Sequence, residues 1–169
     1  MVAGKRFLAL LLAGTTCATA YAGPLEELHS APGAKDLDAL RVHVGKLAEL
    51  AKAEVAAKGV EPAIRAFRSP PWKREANGLH MWGVTREGIS WFDAGHPELE
   101  GLNVSEMSDM QGRNWSRLAL ESADGSGAKD FELIFPHPTR KNAAKGVHSC
   151  FQVEKSERVL CAGAFLDGE

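Results

Sequence analysis

Few residues of this chain have types and spacing that could do chemistry, and none of them spells out a covalent reaction. Cys150 and Cys161 come first. If residues 151–154 and 157–160 form an antiparallel hairpin closing about Lys155 and Ser156, residue 150 falls directly opposite residue 161, where two sulfurs can bridge. Two reduced, buried thiols are the alternative. His148 shares the strand face of Cys150 by simple alternation, which is a coincidence of spacing rather than a nucleophile and its base. His80 and Trp82 share a face of another strand in the same way, and with Trp72 and Trp91 they gather large rings around one hairpin. Such rings fill cores and also line ligands. His96 precedes Pro97 in a turn, where its imidazole either satisfies the loop's own backbone or touches a ligand. The chain has no Gly-rich phosphate loop, no His-Glu-x-x-His, no Gly-x-Ser-x-Gly elbow and no Cys-x-x-Cys-His. It therefore signals no cofactor, no metal and no enzyme class.

These residues need a scaffold, and the apolar pattern supplies one. Over residues 36–58, Leu37, Leu40, Val44, Leu47, Ala51 and Val55 recur at spacings of three and four, which predicts a long amphipathic helix with Asp36 as N-cap and Gly59 as terminator. A short helix over 62–67 follows and stops at Ser69-Pro70-Pro71. The rest reads as strands. Residues 79–84 and 89–93 flank the turn Arg86-Glu87-Gly88, while 129–135 alternates Phe131, Leu133 and Phe135 against Asp130 and Glu132. Val147, Ser149, Phe151 and Val153 alternate against His148, Gln152 and Glu154, and residues 159–166 are apolar on both faces, as suits a central strand. The expected fold class is α+β: a five-stranded antiparallel sheet with the long helix on one face and a long connection, residues 93–123, on the other.

The N-terminus carries an address. Lys5 and Arg6 precede the apolar run 7–14, and Ala20-Tyr21-Ala22 follows, which is the pattern of a secretory signal peptide cleaved after Ala22. Removing residues 1–22 leaves a flexible segment, 23–35, and one domain, 36–167, with its sheet region at 79–166. Only Lys5 and Arg6 leave with the leader, so 18 basic residues face 22 acidic ones. A mildly acidic, evenly mixed surface offers no footprint for nucleic acid. The expected location is periplasmic or secreted, where a disulfide can form.

The connection itself has an ordered punctuation. Asp93-Ala-Gly-His-Pro-Glu-Leu-Glu-Gly-Leu-Asn103, then Asp109, then Gly112 before a helix from Arg113, resembles the single Cache domain family of extracytoplasmic sensors. The order continues with Gly125-Ser-Gly127, the strand ending in Pro136-x-Pro138, a lysine at 145 opening the next strand, and Ala162-Gly163-Ala164-Phe165 in the last. The resemblance covers roughly residues 63–167 and departs from the family at His80, where Tyr is frequent, and at Cys150-Phe151. It implies a PAS-like sheet with a small ligand held on the face opposite the long helix. It also implies that Lys145 and Arg113 are the cations placed to meet a carboxylate, alongside the ring residues Trp72, His80, Trp82, Trp91 and His96. Two functions from different classes follow: a secreted module that binds a small organic anion and acts with a membrane signalling partner, or a structural or interaction protein that uses the fold without a ligand.

Overall fold

The helical stripe folds as expected in a computed structural model, which describes residues 22–30, 34–137, 139–153 and 156–166. Helix α2 (Leu37–Lys58) begins where the Asp36 side chain accepts from the Ala39 N–H. It ends where Gly59, at φ 82°, donates its N–H to the Val55 carbonyl. Leu40, Val44, Leu47, Ala48 and Ala51 form its buried face. Helix α3 (Val60–Phe67) follows with one residue between, and its Phe67 sits edge-on to Trp72 at 4.6 Å.

The N-terminal segment 23–35 requires a correction. Helix α1 (Ala22–Ser30) occupies most of it, and Leu25 is buried in the same core as α2. A nine-residue helix is too short to show its period in sequence, and packing on α2 stabilises it. Residues 1–21 of the expected signal segment lie outside the described residues, as do Pro138 and Lys155. Among the described residues no helix is long and apolar enough to cross a membrane.

Five antiparallel strands, β1 (His80–Thr85), β2 (Ser90–Asp93), β3 (Asp130–Pro136), β4 (Ala143–Gln152) and β5 (Arg158–Phe165), pair in the order β2-β1-β5-β4-β3. Strand β5 is central and apolar on both faces, as its sequence requires. One face carries α2 and α3 over Met81, Phe92, Val147, Phe151 and Leu160. The other is covered by helix α4 (Trp115–Asp124), which packs with residues from the connection over Trp82, Val84, Phe131, Leu133 and Val159.

The connection, residues 94–114, roofs that second face. It hydrogen-bonds β2 through Gly101, Leu102 and Ser90, drops Val104 into the core, and then reaches β3 where Met110 N–H meets the Ile134 carbonyl. Asp109 fixes the far end. Its side chain accepts from the N–H groups of Gln111, Arg113 and Ile134 and from the Arg113 guanidinium. Asn114 then caps α4 by accepting from Arg117 N–H.

Cys150 and Cys161 are register partners on β4 and β5 and are bridged. The hairpin reading of the sequence is borne out. The bond closes a loop with a sequence separation of 11. Reducing it should lower stability by about 2–3 kcal/mol through the loop entropy returned to the unfolded chain. Urea unfolding with and without reductant measures this, and coincident curves would show the bridge to be energetically idle.

Candidate functional site

Alternation along β1 places His80, Trp82 and Val84 on the roofed face, with Met81 on the helix-side face. The same rule on β4 places His148 on the roofed face and Val147 on the other. Register then assembles a row across the sheet. His80 pairs with Gly163, Gly163 with His148, and His148 with Phe131. Gly163 leaves the space in which the His148 ring lies, since a Cβ there would stand 2.4 Å from His148 Nδ1, and Gly95 does the same for the His80 ring, whose Cδ2 a Cβ would meet at 2.7 Å.

Between this row and the roof lies a cavity of about 480 Å³, a volume suited to a small molecule. Its buried lining includes Trp82, Trp115, Leu133, His148 and Phe165, while its exposed lining includes Glu75, His96, Glu98 and Lys141. Trp82 and Trp115 meet edge to face at 5.1 Å. Lys73 and Lys141 also border the cavity, and among the described residues neither ammonium has a carboxylate partner. Lys141 holds a left-handed backbone, φ 64°, in the turn between β3 and β4, a conformation non-glycine residues adopt at a cost.

The two imidazoles of the row are held differently. His80 Nδ1 donates to the Gly78 carbonyl at 2.6 Å, which leaves Nε2 3.9 Å from a carboxylate oxygen of buried Asp93. Asp93 is itself occupied, accepting from the N–H groups of Gly95 and His96. His148 is buried, stacked on Phe131 at 5.6 Å, and its Nδ1 accepts from the Trp82 indole N–H at 3.1 Å. Its Nε2 has no partner among the described residues. Burial, reinforced by His80, pushes the His148 pKa down to about 3, so the ring is neutral at ordinary pH.

Of the residues singled out in the sequence, the structure brings His80, Trp82 and His96 together at the cavity. It places the other four elsewhere. Trp72 packs on Phe67 in the helix-side core. Trp91 is the extra residue of a bulge in the β1 and β2 pairing, which puts it beside Phe92 on that same side. There its indole N–H reaches the Val159 carbonyl beneath the Arg158 guanidinium. Arg113 binds Asp109, at 2.9 and 2.6 Å, and so holds the roof instead of bordering the cavity. Lys145 is two residues from Val147 and thus on the helix-side face, away from the cavity, because period two admits no other assignment.

The sequence reading missed His148, Trp115, Lys73 and Lys141. His148 carried a usable signal. Its alternation set, His148 with Gln152, reads as a water-facing set, yet the long connection downstream of β2 had to cover one face of the sheet. A polar residue under such a roof faces a cavity.

Sheet order, the helix on one face and the long connection on the other define the class: the domain has the fold of single Cache-like, PAS-like sensor domains. Three solved structures share it. A methyl-accepting chemotaxis protein from Vibrio parahaemolyticus superposes with a TM-score of 0.66 at 17% identity, covering 77% of this chain and 90% of that one. The periplasmic sensor domain of a chemotaxis protein gives 0.53 at 16% identity, covering 89% and 100%. A Cache chemosensory domain, solved for its carboxylic acid recognition, gives 0.52 at 16% identity, covering 72% and 84%. No family model and no curated protein matches the sequence.

Proposed function

We propose that this is an exported sensor-type domain that binds a small organic anion such as a carboxylate and passes its bound state to a membrane signalling partner. The observation that carries the reading is the cavity, a ring-lined space closed by an ordered roof, with Lys73 and Lys141 beside it and without carboxylate partners among the described residues. An apolar wall accepts the body of a small acid, and two ammonium groups near water meet its charge without full desolvation. The shared fold with a domain that recognises carboxylic acids supports the same assignment.

The test is thermal unfolding with acetate, propanoate, pyruvate and lactate, each titrated to saturation, followed by calorimetry for any that bind. A true ligand at one hundred times its dissociation constant adds about 2.7 kcal/mol of stability. Lys145→Met serves as control and should bind equally well. The absence of any shift with all four acids would refute the reading.

A further inference from the structure

We infer that His148 is the specificity-determining residue of the cavity: with its Nδ1 occupied by Trp82, it offers the ligand a single N–H donor at Nε2 and so selects an oxygen acceptor over an ammonium. This deepens the organic-anion reading and rests on it.

Tryptophan's indole N–H can only donate, so the 3.1 Å contact requires an unprotonated Nδ1 on His148. A neutral ring then carries its one proton on Nε2. The ring is neutral because it is 4% exposed and packed against Phe131 and Trp82, with no carboxylate contacting it among the described residues. Three features fix its orientation: the stack on Phe131, the bond from Trp82, and the gap above Gly163 that no other residue would leave.

A buried donor with nothing to donate to is costly, and a folded protein rarely keeps one without a reason. Here the unpartnered atom, itself closed to water, belongs to a residue that lines the cavity, so a ligand oxygen reaches it by a small turn of the ring or shift of the wall. A ligand oxygen would complete it. An ammonium, which has no lone pair, would meet another donor in a poorly hydrated space and leave both unsatisfied, which is how a site built around one polar group rejects the wrong partner. Lys73 and Lys141 attract anions in general, whereas His148 reads where the acceptor atom lies.

Nitrogen-detected NMR of the histidine rings in the unmodified protein is the first measurement. The expected result is a neutral His148 with its proton on Nε2, and a change in that N–H signal on addition of whichever of the four acids binds. Ethylamine and propylamine should produce neither binding nor change. His148→Phe keeps the stack on Phe131 and removes the donor, so affinity for the acid should fall about tenfold or more, the worth of one hydrogen bond to a charged group. His148→Gln, which retains a donor, should recover part of it. Trp82→Phe should release the tautomer, with proton appearing on Nδ1. A proton on Nδ1 in the unmodified protein, an acid that binds with the ring signal unmoved, or unchanged affinity in His148→Phe each overturns the inference while leaving the organic-acid reading intact. No binding by any acid removes both.

Discussion

Asp109→Ala is expected to lower stability by about 2–4 kcal/mol, which for a domain of this size lowers the melting temperature by roughly 5–15 °C. The carboxylate is fully buried and accepts five hydrogen bonds, two from the Arg113 guanidinium and three from backbone N–H groups. Removing it strands those three donors and a cation that is one-third exposed. That partial exposure holds the cost below the upper range for a dry ion pair. Asp109→Asn keeps an acceptor without the charge and should cost less.

The same group sets an acid limit. Burial raises the pKa of Asp109, but the hydrogen bonds from Arg113, Ile134 and Gln111 outweigh it and bring it to about 2. Between roughly pH 4 and 2 the unfolded chain therefore binds a proton that the folded chain does not, and stability present at neutral pH is lost as pH falls. His148 adds an earlier step with the same sign. Its folded pKa of about 3 lies below the ordinary 6.5, so stability should begin to decline below about pH 6.5. Melting temperature followed from pH 8 to 3 should fall in two stages. A flat profile would contradict both assignments.

Gly163→Ala is the second large effect, and it acts on the site as well as on the fold. The added methyl would stand 2.4 Å from Nδ1 and 2.6 Å from Cε1 of His148, and 3.4 Å from the Trp82 indole nitrogen. None of these atoms is the free end of a flexible chain, so the ring must leave its place over Phe131. Overpacking of this kind costs about 1–3 kcal/mol. Binding of an acid to the cavity should fall at least tenfold with it if His148 is the donor inferred above, since the ring that carries that donor is displaced. Gly45→Ala on α2 is the matched control. Nothing lies within 4 Å of that Cβ, and the better helix former should stabilise by up to about 1 kcal/mol. Equal behaviour of the two substitutions, read by calorimetry, would show that the row His80, Gly163, His148 has no special geometry.

The α+β class, the long helix and its caps, all five strands and the cross-strand disulfide were legible in the sequence because each rests on a local period or a short-range symmetry. Site membership was legible only in part. His80 and Trp82 follow from alternation on one strand. Trp91 does not, because a bulge at Gly83 and Val84 shifts the alternation there, and nothing in the residues 89–93 announces it. Lys145 lies away from the cavity for a related reason: opening a strand says nothing about which face a side chain takes, and the register with Ile134 settles that only in three dimensions. His148 was hidden by a rule that usually works. Polar residues alternating with apolar ones mark the water side of a sheet, unless another part of the chain lies over them.

The connection that roofs the cavity also has a role in keeping the protein in solution. Its residues 101–103 hydrogen-bond the outer side of β2, and Asp109 and Met110 do the same for β3, the strand at the opposite end of the sheet order. One short run of chain thereby occupies backbone groups on both edges of an open sheet, the groups through which such sheets recruit strands from other molecules. Loosening the roof would uncover both edges together, beside Met107 and Met110, which are already exposed. Whatever keeps the roof in place is therefore also a guard against edge-to-edge aggregation.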